Sequence, residues 1–266
     1  MKIGIAGFGT IGANVAQALD RGLEGLTLEA VTGRDETKTR AAVARLMRPV
    51  DVVTPKELAR RCDIVVECTP AAAFMSIAVP VLEAGRTLVT VSAAAILQHP
   101  EVIDLGTRHH ARIVLATGAL LGFDAVRAAA LGTINAVTMI TRKPPKSLLG
   151  APYLIANRID IEHLTAPLKV FEGTAREGAR GFPANVNVAA ALSLAGIGPD
   201  RTLLQVWADP TVVRNTHTVR VEADTARFEM TIENVPSAEK PATGKITALS
   251  VIAALQGLVT PFKVGS

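Results

Sequence analysis

The sequence predicts an α/β chain of two domains, a helix-covered parallel sheet followed by an α+β unit. Three observations carry this: short apolar β-type runs alternate with helical periods as far as Leu115, the rhythm changes after Gly118, and the composition supplies a large core. Of 266 residues, 49% are hydrophobic and 20% charged, which excludes a disordered or fibrous chain. Length alone permits one large domain or two modest ones. The change of rhythm decides for two.

In order, the first domain reads as strands Lys2–Ala6, Leu26–Thr32, Ile64–Glu67, Thr87–Val91 and Ala111–Leu115, with helices Ile11–Arg21, Asp35–Leu46 and Ala71–Ala84 between them. Several of these strands are continuous apolar runs, as strands buried on both faces must be. Beyond Gly118 the strands are longer and alternate, notably Asn135–Arg142, His217–Glu222 and Arg227–Glu233, with a helix over Phe182–Ala195. Alternation means a sheet with one packed face. A turn-rich connector from Asn234 to Gly244 then leads into a closing helix, Lys245–Leu258. The expected domains are residues 1–118, 119–241 and a terminal segment 242–266 that packs back on the first.

The pI near 9.3 rests on a net charge of only +4. With 3% aromatic residues and no long basic run there is little to stack on bases or track phosphates, so no nucleic acid is expected. Cys62 and Cys68 are too few for a disulfide framework and lack metal-site spacing, so neither is assigned a metal. The N-terminus has no signal-type apolar stretch, and the run Ala248–Leu258 is too short to cross a bilayer. A cytoplasmic protein without a membrane partner is expected.

Gly7-Phe8-Gly9-Thr10-Ile11-Gly12 follows the first strand directly and opens the first helix. Gly7 permits the tight turn, Gly9 lets the backbone approach a pyrophosphate, and Gly12 lets helix and strand pack closely. Thr10 and Ile11 belong to the same loop, whose backbone N–H groups would meet the phosphates. This context marks a Rossmann-type dinucleotide site; the bland alternative is a ligand-free glycine turn. Where an NAD-specific site carries an acidic residue after its second strand, this chain has Thr32-Gly33-Arg34. Arg34, with Lys38 and Arg40 nearby, suits a 2′-phosphate, so the cofactor is NAD or NADP with a slight lean to NADP. As a bland alternative, Arg34 is an exposed loop cation and Asp35 a helix N-cap.

Glu67-Cys68-Thr69-Pro70 ends a strand at the sheet's carboxyl edge, where open α/β folds bind ligands, and Ser92 is similarly placed. Cys68 reads as a small cofactor-facing or buried residue, with a thiolate nucleophile as the alternative. Of five histidines, His99, His109, His110 and His163 lie in polar segments. His217 instead shares the packed face with Val219 and Val221. That position suits either a satisfied core histidine or a general acid/base. Asn185 and Asn187, in the Phe182–Ala195 helix, lie about 200° apart on a helical wheel and cannot face one partner.

Several blocks together resemble the L-aspartate dehydrogenase family: residues 117–125, Thr141-Arg142-Lys143-Pro144-Pro145, Phe171–Glu177, Phe182–Asp200, Ala208-Asp209-Pro210 and Asn215-Thr216-His217. The resemblance covers nearly the whole chain in order. It implies a nicotinamide-dependent oxidative deamination of L-aspartate, through iminoaspartate, to oxaloacetate and ammonia. It also implies that His217 is catalytic and that Ala119 and Asn187 contact the cofactor. Two substrate carboxylates require cations, and Arg142, Lys143, Arg214 and Lys245 are the candidates. The second domain's mixed sheet suggests a homodimer. The chain departs from the family in residues 240–245, Lys-Pro-Ala-Thr-Gly-Lys in place of an Asn-Pro-Lys-Thr-Ser type, and at Ala93-Ala94 in place of Val-Gly. Competing readings are a two-domain reductase of dihydrodipicolinate reductase or homoserine dehydrogenase type, and a non-catalytic nucleotide sensor.

Overall fold

The computed structural model describes residues 1–120, 122–182, 187–237 and 244–264. They form two compact units, Met1–Gly118 with Thr247–Ser266, and Ala119–Ile246.

The first unit runs β1 (Lys2–Ala6), α1 (Thr10–Arg21), β2 (Thr27–Thr32), α2 (Glu36–Val43), β3 (Asp51–Val52), α3 (Pro55–Arg61), β4 (Ile64–Glu67), α4 (Phe74–Glu83), β5 (Thr87–Thr90), α5 (Ala93–Gln98), α6 (Glu101–Arg108) and β6 (Arg112–Leu115). Its six strands are all parallel in the order β3-β2-β1-β4-β5-β6. The order reverses between β1 and β4, and a ligand crevice opens at that reversal in doubly wound sheets. Alternate residues of each strand feed two separate cores. Ile3, Ile5, Ile64, Val66 and Val89 pack with Val15 and Leu19 of α1 on one face. Ala6, Val65 and Leu88 pack with Leu58, Phe74 and Leu82 on the other. Burying both faces requires the apolar runs seen in the sequence.

Several boundaries shift for local reasons. Asp35 lies outside α2 as its N-cap, its carboxylate accepting from Lys38 N at 3.0 Å, so the bland alternative for that residue is the observed one. Ala71–Ala73 form a 3₁₀ turn ahead of α4. The two-residue β3 and the helix α3 were not anticipated, because so short a strand carries no alternation. α3 nevertheless has a clear start, Thr54 capping Glu57 N at 3.2 Å with Pro55 in its first turn.

The second unit holds α7 (Phe123–Ala129), β7 (Ile134–Lys143), α8 (Pro152–Ala156), β8 (Leu168–Thr174), α9 (Ala175–Gly181), α10 (Asn187–Ala195), β9 (Thr202–Ala208), β10 (Asn215–Ala223) and β11 (Arg227–Asn234). The sheet order is β11-β10-β7-β9-β8; β7 and β9 are parallel and the other pairs antiparallel. One face is packed: Val137, Met139, Leu204, Val206, Val219 and Val221 are buried. The segment predicted as one helix over Phe182–Ala195 is helical over Asn187–Ala195 among the described residues, while Phe182 belongs to the preceding helix end. Phe182 caps α9, which a Thr174–Glu177 capping box opens, and α10 begins at Asn187. Residues 183–186, with Asn185, lie outside the described residues, as do Leu121 and residues 240–243. α11 (Lys245–Gln256) follows β11 and returns the chain to the first unit, where Val251 and Leu255 are fully buried beside Ile3 and Ile5.

Candidate active site

Each unit carries part of the candidate machinery. In the first, the turn between β1 and α1 holds Gly7 at φ +91°, with its N–H donating to Thr32 O at 2.8 Å. A Cβ on Gly7 would lie 2.7 Å from the Cys68 carbonyl oxygen, and one on Gly12 would lie 2.0 Å from the Gly7 carbonyl oxygen. Both positions therefore exclude a side chain. Gly9 differs: a Cβ there meets nothing within 4 Å, so its backbone borders open space. Gly9 caps α1 without a side-chain hydrogen bond, and no acidic residue occupies the first turn, Thr10 and Ile11 included. An uncapped, acid-free helix start beside an open glycine fits a pyrophosphate.

Around this loop, Cys68 N donates to Ala6 O at 2.8 Å. Burial pushes the Cys68 thiol well above its ordinary value, with the Glu67 charge adding to it. A thiolate nucleophile at Cys68 has no support in that environment. Glu67 is fully buried and satisfied: its carboxylate accepts from Thr69 N at 2.7 Å, Thr69 Oγ1 at 2.5 Å and Thr90 Oγ1 at 2.6 Å. Thr90 Oγ1 in turn accepts from Ser92 N at 2.9 Å. This network ties together the loops at the carboxyl ends of β4 and β5. At the end of β2, Lys38 pairs with Asp35 and Arg40 with Glu36. Arg34 is exposed, and no hydrogen bond or ion pair engages it among the described residues.

In the second unit, His217 is 3% exposed on β10, opposite Thr141 of β7 and Ile232 of β11. Its Nδ1 lies 3.1 Å from Thr141 Oγ1. Lys143, 5% exposed at the end of β7, shares that face two residues on. Burial lowers the imidazole to about 3, with the Lys143 charge as a second cause. Burial also lowers Lys143 to about 8. The imidazole is therefore neutral through the whole physiological range.

Asn234, also buried on this face, pairs with Asn215, two residues before His217. Its Nδ2 donates to Ala119 O at 3.0 Å, which brings Ala119 to the same end of the sheet. Gly122 seats that loop against Met230 of β11, its φ of +73° and the nearby sulfur both excluding a side chain.

Among the predicted substrate cations, Lys143 alone lies buried on the His217 face. Arg142 points to the other side, where it donates to Asp209 Oδ2 at 3.0 Å and lies 4.6 Å from the Trp207 ring centroid. Alternation along β7 separates the two neighbours. Arg214 and Lys245 are exposed, just before β10 and at the start of α11. Asn187 is exposed at the start of α10. Asn234 and the pairing of Thr141 with His217 were not anticipated from the sequence. The one available signal was the period of two through Phe228, Met230, Ile232 and Asn234. No group of His, Cys, Asp and Glu among the described residues is arranged to hold a metal ion.

Comparison with known proteins bears on both units. Residues 7–116 match the model "Homoserine dehydrogenase, NAD binding domain", and residues 124–258 match "Aspartate dehydrogenase, C-terminal". The chain is 54% identical over 256 residues to an L-aspartate dehydrogenase of Bradyrhizobium diazoefficiens, covering 96% of this chain and 91% of that one. It is 52% identical over 267 residues to L-aspartate dehydrogenase 3 of Bordetella bronchiseptica, covering 100% and 98%. The fold resembles the crystal structure of aspartate dehydrogenase from Thermotoga maritima, with TM-score 0.77 at 23% identity over 100% of this chain and 99% of that one.

Proposed function

The chain belongs to the L-aspartate dehydrogenase family, and from that premise we propose how its own residues serve the reaction. It is an NAD(P)-dependent oxidoreductase acting on the CH–NH₂ group of L-aspartate. The observation that carries this reading is a neutral, buried imidazole, His217, on one sheet face with a buried lysine, Lys143.

A nicotinamide cofactor, when bound, would supply the acceptor for the hydride that leaves the substrate Cα. Gly7, Gly9, Thr10, Ile11 and Gly12 would hold the dinucleotide, with Cys68 beside them, and Ala119 and Asn187 are proposed as further cofactor contacts. His217 accepts the proton that the substrate amine must lose as iminoaspartate forms. Once it has released that proton to solvent, it takes a proton from the water that adds to the imine carbon, and returns it to nitrogen as the C–N bond breaks to release ammonia and oxaloacetate. Two carboxylates entering the site raise the basicity of His217. Lys143 holds one of those carboxylates; Arg214 and Lys245 are secondary candidates, and the position of Arg142 argues against it.

Arg34 favours NADP over NAD, supported by its free, exposed guanidinium at the end of β2 and by the lack of an acidic residue in its place. A homodimer is proposed through the outer face of the second sheet, supported by the half-buried Ile140, Leu203 and Trp207 there. The free Cys62 and Cys68 suit the reducing cytoplasm, and no helix among the described residues is long and apolar enough to cross a membrane.

The test is to follow the absorbance of reduced nicotinamide with L-aspartate and either cofactor at alkaline pH. Aspartate-dependent reduction is expected with both, and its absence with both defeats the reading. Arg34→Ala should raise the KM for NADP by roughly tenfold or more, the loss of one charge-assisted bond, while leaving NAD within about twofold. An unchanged ratio of the two would remove Arg34 from cofactor choice.

A further inference from the structure

We infer that Thr141 is the positioning residue of His217, a two-way hydrogen-bond partner that lets the imidazole exchange tautomers during the reaction. The inference rests on His217 being the acid–base group.

Thr141 is 3% exposed, and among the described residues its hydroxyl has one partner, His217 Nδ1 at 3.1 Å. The neutral imidazole carries its proton on one nitrogen, and the hydrogen bond made by the other sets which. Were Nδ1 to carry it, Thr141 would accept, and its own O–H would be left buried with nothing to donate to. An unsatisfied buried donor is costly. With the proton on Nε2, Thr141 donates to Nδ1, so neither the hydroxyl nor Nδ1 is left unpaired. The free protein therefore holds His217 as the Nε2–H tautomer.

Substrate changes that balance. An ammonium group is all donor, so a base that serves it must present a lone pair at Nε2. The proton then resides on Nδ1, and the Thr141 hydroxyl turns to accept from it. A hydroxyl can play both parts because it has one donor and two acceptor sites. A carboxylate in its place would fix Nδ1–H, and a backbone carbonyl would do the same. The hydroxyl suits a reversible reaction in which Nε2 gives a proton in one direction and takes it in the other.

The experiment is long-range ¹H–¹⁵N NMR of the labelled full chain, with His217→Asn to assign the signals. It compares the free protein with the unreactive complex of reduced cofactor and L-aspartate. Wild type should show Nε2–H when free and move toward Nδ1–H in the complex. Thr141→Val, of equal shape without the hydroxyl, should stay Nε2–H in both states. Its kcat should fall by roughly 10–100-fold, part of the 10²–10⁴ that acid–base catalysis supplies, with the KM for cofactor within about twofold. Thr141→Ser should restore the tautomer change and most of kcat. Nδ1–H in the free wild type, no change on complex formation, or a Thr141→Val kcat within about twofold of wild type would overturn the inference. If His217→Asn keeps its turnover, the reading of His217 fails and this inference with it. If only Thr141→Val is normal, the inference fails alone.

Discussion

His217 and Lys143 lie well below their ordinary pKa values, at about 3 and about 8, because β7 and β10 bury both on one face. The sign for Lys143 is fixed by its unfolded value near 10.5. Folding costs stability while the buried ammonium stays charged, and that cost disappears as pH rises from about 8 toward 10.5. Ligand binding runs the other way, since the cation that holds a carboxylate is lost above about 8. Calorimetry with succinate, a dicarboxylate without an amine, should show affinity weakening above about pH 8 in wild type. Lys143→Arg, which stays charged, should show no such limb; a limb of equal size in both would remove Lys143 from carboxylate binding. At this scale the sequence was partly legible. Strict alternation in Val221, Val219 and His217 marks a packed histidine, and alternation in β7 sets Lys143 apart from Arg142. The pairing of Thr141 with His217 was not legible, because 76 residues separate them and only the sheet register brings them together.

Elements that obey a strong local rule were readable, and those set by tertiary pairing were not. β1, β4 and the glycine turn follow from apolar runs and from φ and contact demands that glycine alone meets. β8 and β9 were missed because Leu168–Thr174 and Thr202–Ala208 acquire their strand character from each other and from β7. The glycine turn also yields a sharp test. Gly12→Ala places a Cβ 2.0 Å from the Gly7 carbonyl oxygen, a backbone atom that no side-chain rotation can clear. The turn must deform, and fluorescence titration should find cofactor affinity lowered by roughly 100-fold or more, the price of a few kcal/mol in the loop. Gly9→Ala meets no protein atom, so its loss of affinity would report on the ligand alone. Wild-type affinity in both variants would contradict a pyrophosphate at this turn.

Across the whole chain, the C-terminal helix belongs to the core of the first unit although it follows the last strand of the second. Val251 and Leu255 are fully buried with Ile3, Ile5 and Val31. Leu255→Ala should therefore cost about 2–5 kcal/mol in urea unfolding, the range for a buried leucine, whereas Leu249→Ala, 60% exposed, should cost under about 0.5. Equal effects would detach the helix from that core. The change of rhythm after Gly118 was legible because parallel and one-faced sheets impose different patterns. The central claim, a neutral buried imidazole acting as proton acceptor for aspartate oxidation, is tested most directly by His217→Ala with both cofactor binding and turnover measured. Cofactor affinity should stay within about twofold of wild type while kcat with L-aspartate falls by roughly 10²–10⁴. Turnover within about threefold of wild type would contradict it.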